Sequence, residues 1–214
     1  MIAQRQYVDE VTIDGGNVNC AVHVELFGPV TLVIGDDRIF ITGYSAQLVA
    51  LLAGARGAPV AATQLLDSLW PEAPSSGLNV VQRHLSALRR RLRASGHRTT
   101  ADRLIVHRGG TYLLDPAVTT TDLDLLDAPD RVVTGPSDTG DGPPPRWWDE
   151  PLAGLPWEPF VPLRAVLDRV AVEAAHRWLT AHRSELDPAT ISMAVSGLAR
   201  RHPGDELPTC PMIL

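Results

Sequence analysis

The strongest constraint on the fold is the pattern of residues 78–94, LNVVQRHLSALRRRLRA. Four apolar residues in it recur at steps of four, three and four, which places them in one stripe of an α-helix. They are Val81, Leu85, Leu88 and Leu92. The remaining surface carries arginine, amide and hydroxyl side chains and no acidic residue. The pattern predicts a helix that packs on its domain through this stripe and presents a cationic surface outward.

A helix of this kind suits the major groove of a DNA duplex. Arginine side chains neutralise phosphates and read guanine, and asparagine or glutamine reads adenine. We expect base contacts from the four residues opposite the apolar stripe, which are Asn79, Arg83, Ser86 and Arg90. The alternative is a solvated helix on a basic patch, and the helix pattern alone does not separate the two.

The distribution of charge favours nucleic acid although the chain as a whole carries −6. Residues 79–110 contain eight arginines and one acid, Asp102, so this stretch carries +7 and the rest of the chain −13. A basic zone on an acidic protein is a reasonable electrostatic footprint, because the acidic remainder limits non-specific binding.

Cysteine content and hydropathy indicate the compartment. Cys20 and Cys210 lie far apart in the 214 residues, which is no disulfide framework and fits a reducing compartment. The first residues are polar and acidic, unlike a signal peptide, and no apolar run approaches the length of a membrane span. We therefore expect a cytoplasmic protein that does not bind membranes.

The chain before the basic helix predicts a small sheet. Residues 1–20 are expected to form a flexible leader. Residues 22–26, 31–34 and 38–41 have strand-like patterns separated by turn residues, which predicts three antiparallel strands.

Two shorter helices are predicted between this sheet and the basic helix. Ser45 is expected to cap the first and Thr63 the second, and Pro71 stops the second helix. The loop at 71–77 is stiffened by two prolines.

A hairpin follows the basic helix. Residues 103–107 and 111–114 have strand patterns, and Gly109-Gly110 lies in the turn between them. Three strands, three helices and a hairpin over residues 21–116 predict an α+β winged helix-turn-helix, with its wing at 104–114. Contacts to the DNA backbone are expected from the flank of the basic helix and from the wing, namely Gln82, Arg89, Arg93, His107, Arg108 and Thr111. The alternative for the hairpin is a plain sheet edge.

The C-terminal part predicts a linker followed by helices. We place the linker at 117–146, because much of it is rich in Pro, Gly and Asp, a short all-α domain at 147–206 and a tail at 207–214. A long helix is expected at 159–184. The tryptophans are interpreted as core or domain-seam aromatics: Trp70, Trp147, Trp148, Trp157 and Trp178.

Motifs for other chemistry were sought without result. The chain has no phosphate-binding glycine loop, no metal-ligand spacing and no nucleophile with a His-acid context. His84, His97 and His107 are interpreted as surface groups. We expect no catalytic activity, no metal and no cofactor.

Residues 22–114 resemble the DNA-binding domain of OmpR-type regulators, and more narrowly the SARP group of bacterial antibiotic-pathway activators. The motifs that carry this resemblance are LFGP at 26–29, LLDSLW at 65–70, the basic helix at 79–92 and GGTYLL at 109–114. Further along, TDLDLL at 121–126 and the segment Trp148 to Ala153 resemble the family's helical, TPR-like activator domain.

The resemblance implies a function. It implies an activator of a biosynthetic pathway that binds direct repeats in double-stranded DNA, with a possible homodimer on DNA. It also implies a loop that faces RNA polymerase, here Pro71, Glu72, Ala73, Pro74, Ser75 and Ser76. The helical domain would be truncated, so we expect its open apolar face to pack on the winged helix or on a second chain.

Two functional hypotheses therefore stand. The first is a sequence-specific DNA-binding transcriptional regulator without catalytic activity. The second is a non-catalytic protein-interaction module whose winged helix binds DNA weakly or not at all. Three features favour this second hypothesis: the acidic total charge, the interrupting linker and the short helical part.

Overall fold

The computed structural model describes residues 21–72, 77–126 and 149–181, together with positions 192, 195–197 and 199. The predicted leader and tail, most of the predicted linker and most of the helical domain after residue 181 lie outside the described residues. Within the described part, no helix is both long and apolar enough to cross a membrane.

The N-terminal sheet contains the three predicted strands and one more. Its strands are β1 (Val22–Glu25), β2 (Thr31–Ile34), β3 (Asp37–Phe40) and, much later in the chain, β7 (Thr119–Thr121). The first three pair antiparallel as predicted, and β7 lies parallel to β1, giving the order β3-β2-β1-β7. The sequence missed β7 because three consecutive threonines carry no alternation of apolar and polar residues.

Four helices lie between the N-terminal sheet and the wing in the described structure. They are α1 (Gly43–Gly54), α2 (Ala62–Leu69), α3 (Asn79–Ala94) and the short α4 (Arg98–Arg103). The predicted caps are wrong, because α1 and α2 begin after Thr42 and Ala61, neither of which makes a side-chain cap. The Ser45 hydroxyl instead donates to the His84 carbonyl oxygen of α3 at 3.1 Å. At α2 the Ala62 N–H donates to the Gly110 carbonyl oxygen at 2.9 Å, so tertiary structure replaces the cap.

The wing hairpin is part of a second, three-stranded sheet. It contains β4 (Val60–Ala61), β5 (Ile105–Arg108) and β6 (Thr111–Leu114), in the order β4-β6-β5. The predicted hairpin is confirmed, but its first strand starts later than predicted because Arg103 ends α4. Strand β4 has two residues, too few to show a strand period in the sequence.

One continuous core joins the winged helix to the long C-terminal helix α5 (Val161–Ala181). Leu167, Val170 and Ala171 of α5 are buried in the same cluster as the apolar stripe of α3. A Cβ placed on Gly54 of α1 would lie 3.3 Å from Leu163 Cδ1, so the two helices approach closely there. The expected packing of the helical part on the winged helix is therefore confirmed for the described residues.

The buried carboxylate of Asp122 ties the end of the domain to its beginning. Asp122 opens a 3₁₀-helix (Asp122–Leu126) directly after β7. Its Oδ2 accepts the backbone N–H groups of Leu26 and Phe27, and its Oδ1 lies 3.0 Å from His23 Nε2. Residues 119–126, which the sequence placed in the linker, are thus part of the folded domain because these bonds satisfy otherwise unpaired groups.

A buried arginine holds the segment that leads into α5. The Arg164 guanidinium donates to the carbonyl oxygens of Leu152 and Leu155, both at 3.1 Å, and to that of Pro151. The Leu152 N–H in turn donates to the Leu26 carbonyl oxygen at 2.8 Å. The segment therefore docks on the same LFGP motif that Asp122 holds from the other side.

Replacing Leu167 with Ala should lower the free energy of unfolding of the whole described unit by about 2–5 kcal/mol, because Leu167 is fully buried in the shared core. Val161→Ala, at an exposed position of the same helix, is the control and should change stability little. Denaturant unfolding followed by tryptophan fluorescence and circular dichroism measures both. Separate transitions for α5 and the winged helix would contradict a shared core.

Stability should depend on pH through His23. Burial lowers the pKa of His23, but the hydrogen bond and charge of Asp122, with Glu25 and Asp124, outweigh it and raise this pKa above 6.5. The protonated imidazole therefore adds stability that is fully present below about pH 6.5 and is lost as the pH rises through the folded-state pKa.

Comparing the unfolding free energy of the wild type and His23→Gln from about pH 6 to pH 9 tests this linkage. The stability advantage of the wild type should shrink as the pH rises, and Asp122→Asn should reduce the same dependence. An advantage that does not change with pH would contradict the assignment.

Candidate nucleic-acid interface

The outer face of α3 is open to solvent. The four residues predicted to contact bases, Asn79, Arg83, Ser86 and Arg90, are all exposed. The apolar stripe on the other side of the helix is at most 2% exposed, as the sequence predicted. Among the described residues, the C-terminal helix packs elsewhere on the domain, and the four side chains remain exposed.

One flank of α3 faces the wing and α4. Gln82 and Arg93 are exposed on it, and Arg93 forms an ion pair with Asp102 of α4. Arg89 is half-buried, and its Nη2 donates to the Ile105 carbonyl oxygen at the start of β5 at 2.8 Å. These three residues were predicted to contact the DNA backbone, and all three also make contacts within the domain, Gln82 with Tyr112 of the wing.

The other flank of α3 is anchored by aromatic rings. Tyr44, Trp70 and His84 form a cluster, with ring centroids 4.5 Å apart for Tyr44 and Trp70 and 5.8 Å apart for Trp70 and His84. Burial and the nearby charge of Arg83 lower the pKa of His84, so its ring is neutral at pH 7. His84 is half-buried, and a helical wheel does not show these ring contacts because the rings come from α1 and from the residue after α2. His97 is likewise half-buried.

The wing ends in a two-residue turn that requires glycine-like backbone angles. Gly109 and Gly110 have φ of +55° and +78°, and Arg108 pairs with Thr111 across the turn. Positive φ at both central residues is typical of the hairpin turn that matches the twist of the strands. The Thr111 hydroxyl donates to the Arg108 carbonyl oxygen at 2.7 Å and closes the turn. His107 and Arg108 are exposed at the tip.

A buried tyrosine lies one residue pair from the turn of the wing. Tyr112 is 3% exposed, and its ring stacks on His107 with centroids 4.5 Å apart. Burial raises the pKa of the Tyr112 hydroxyl, while its hydrogen bond with Gln82 and the charge of Arg89 act in the lowering direction. The hydroxyl is therefore neutral at pH 7 and lies among side chains from α3.

The loop predicted to face RNA polymerase is described only at its start. Pro71 and Glu72 are exposed, whereas residues 73–76 lie outside the described residues. Among the described residues, no group of three His, Cys, Asp or Glu side chains is placed to hold a metal ion.

The wing turn should discriminate between side chains that tolerate a positive φ and those that do not. Gly109→Asn should preserve the hairpin, since asparagine adopts this region readily, whereas Gly109→Val should destabilise it by about 1–2 kcal/mol. Amide hydrogen exchange of residues 105–114 measures the local opening. Equal protection in the two variants would contradict the turn geometry.

Comparisons with known proteins agree with this architecture. The family model described as "Transcriptional regulatory protein, C terminal" matches residues 36–114. No curated protein matches the chain. A solved structure described as "Mycobacterium tuberculosis EmbR in complex with low affinity phosphopeptide" is 19% identical, with a TM-score of 0.56.

That match covers 85% of this chain and 51% of the EmbR chain, so this chain spans about half the length of the solved structure. At this identity the likeness concerns the fold, and it extends past the winged helix into the part of the chain that contains α5. The matched region 36–114 contains α3 and the whole wing. Residues 36–114 therefore match the family of transcriptional regulatory protein C-terminal domains, and their fold is a winged helix.

Proposed function

We propose that this chain is a sequence-specific DNA-binding transcriptional regulator that acts without catalysis. The observation that carries the proposal is the exposed, cationic outer face of α3 in a domain of the transcriptional regulatory family. The face has the dimensions and the chemistry of a major-groove reader, because one helix fills the groove and arginine and amide side chains match base edges.

The two kinds of contact are assigned by position. Residues in the middle of the exposed face of α3 read bases, with Arg83 and Arg90 as guanine readers and Asn79 as an adenine reader. The exposed flank and the wing tip bind the sugar-phosphate backbone through Gln82, Arg93, His107, Arg108 and Thr111. With Arg108 and Thr111 on either side of the turn, the wing tip is placed to bind backbone beside the groove that α3 occupies.

We further propose that the protein activates a biosynthetic pathway from direct repeats, with the loop at 71–76 facing RNA polymerase. The support is the family resemblance of the four motifs together with the exposure of Pro71 and Glu72 where α2 ends. A homodimer on DNA would follow from two adjacent repeats, each bound by one winged helix.

The second candidate is a protein-interaction module that binds DNA weakly. It is favoured by the charge of −13 outside residues 79–110 and by Trp157, which is 64% exposed on the segment before α5. A mobility shift with a pool of random duplexes at two salt concentrations separates the candidates. Salt-dependent binding that enriches particular sequences supports the regulator, whereas no binding at low salt supports the interaction module.

Replacing Arg83 and Arg108 should have different effects if their roles differ. Arg83→Ala should reduce discrimination between the selected site and random DNA by about 1–3 kcal/mol, because a bidentate base contact is lost. Arg108→Ala should weaken binding to both DNAs alike and lower the slope of log K against log salt by about one.

Fluorescence anisotropy with both duplexes at several salt concentrations measures these effects. The matched control is Arg91→Ala, which removes one exposed arginine from α3 outside the proposed contacts. Equal losses of Arg83→Ala and Arg108→Ala on specific and random DNA would contradict the two assignments.

A further inference from the structure

The recognition helix and the wing are joined by side chains on one flank of α3. The Arg89 guanidinium donates to the Ile105 carbonyl oxygen at 2.8 Å, and Gln82, seven residues earlier on the same flank, hydrogen-bonds to Tyr112. Ile105 is the first residue of β5 and Tyr112 lies in β6, so both strands of the wing are attached to α3.

The Arg89 bond lies at the root of the wing, where Ile105 pairs with Leu114, whereas the Gln82 bond lies nearer the tip, because Tyr112 pairs with His107. Ile105 is 2% and Tyr112 3% exposed, whereas His107 and Arg108 project into solvent. At about 3.3 Å per residue, the tip lies about 10 Å from the carbonyl that Arg89 holds. A shift of β5 at Ile105 therefore displaces Arg108, which lies at the other end of the same strand.

The wing is held on one side by β4, which pairs with Tyr112 and Thr111 of β6, and the Gly110 carbonyl oxygen accepts the Ala62 N–H. Its strand β5, which carries Arg108, is the edge strand of this sheet in the described structure and is paired only with β6. Its strands are four residues long and its third strand, β4, has two residues. Short hairpins are marginally stable alone, so their position depends on what they pack against. A hydrogen bond from a charged guanidinium is stronger than one between neutral groups, and at a half-buried position it is also better shielded from water.

We propose that Arg89, supported by Gln82, is a positioning residue that sets the angle of the wing relative to α3. In this role Arg89 does not itself bind phosphate. It places Arg108 at the DNA backbone while α3 occupies the groove. The inference rests on the proposed function and assigns Arg89 a different part in it from the exposed flank residues.

A double-mutant cycle between Arg89 and Arg108 tests the proposal. The four full-length proteins are the wild type, Arg89→Met, Arg108→Ala and the double variant. Methionine retains an apolar stem of similar length and removes the donor and the charge. Affinity for the duplex selected from the random pool, and its salt slope, are measured for each by anisotropy.

If Arg89 positions the wing, Arg108→Ala lowers the affinity for the selected duplex about tenfold in the wild type and about twofold or less in the Arg89→Met background. The two effects are then not additive, because both variants remove the same contact with DNA. The salt slope of the double variant then falls by about one, as in either single variant. A parallel cycle with Arg91→Ala in place of Arg89→Met should be additive.

Two results would overturn the inference while leaving DNA binding intact. Additive losses with a fall of about two in the salt slope would mean that Arg89 binds phosphate by itself. A lower thermal midpoint for Arg89→Met with an unchanged salt slope would mean that Arg89 acts on stability alone. If the wild type binds no duplex at all, the proposed function fails first and this inference fails with it.

Hydrogen exchange of the free protein gives an independent readout. Arg89→Met should speed exchange of amides in residues 105–114 more than in α1, because the root of the wing is released. Arg91→Ala should leave both regions unchanged. Equal acceleration across the domain in Arg89→Met would overturn the positioning role.

Discussion

The burial of one side of α3 is the constraint on which the rest of the molecule depends. Each of its fully buried leucines contributes about 1.5–3 kcal/mol relative to an exposed position, so the stripe fixes how the helix is rotated. Because successive residues are 100° apart, a shift of one residue would turn Arg83 and Arg90 away from solvent. The outward face is thus set by hydrophobic packing and not by the arginines themselves. The exposed guanidinium groups are hydrated in the folded and in the unfolded chain, so they contribute little to the choice of face.

Two buried polar groups extend this packed unit beyond the winged helix. Asp122 binds the backbone of the LFGP motif from one direction, and Arg164 holds the Pro151–Leu155 segment that binds the same motif from another. A buried charge without partners is costly, so each of these side chains favours the one docking arrangement in which it is hydrogen-bonded. Alternative arrangements that leave it unpaired are disfavoured. The helical segment is therefore coupled to the N-terminal sheet, and a domain boundary at residue 116 would cut through bonds that hold β1.

The sequence predicted the long, periodic elements and missed those set by tertiary contacts. The stripe of α3, the three N-terminal strands and the glycine turn of the wing have local signals that match the structure. Strands β4 and β7 have none, because two or three residues show no period. The cap at Thr63 was wrong because α2 begins earlier, at Ala62, whose N–H donates to the Gly110 carbonyl oxygen of the wing. The ring contacts of His84 were not predicted, because the rings of Tyr44 and Trp70 come from other parts of the chain. The bond from Arg89 to Ile105 likewise depends on a neighbour that no spacing reveals.

The acidic character of the whole chain is compatible with a basic contact face because electrostatic range is short. The Debye length at physiological ionic strength is about 8 Å, so acids on the far side of the domain scarcely act on a duplex at α3. Within the face, the exposed ion pair of Arg93 with Asp102 is worth at most about 1 kcal/mol in water. A phosphate can therefore compete with Asp102 for Arg93. In the proposed function, the same acid lowers the attraction of this face for the phosphates of any duplex alike, so it reduces affinity without changing the preference for one sequence over another.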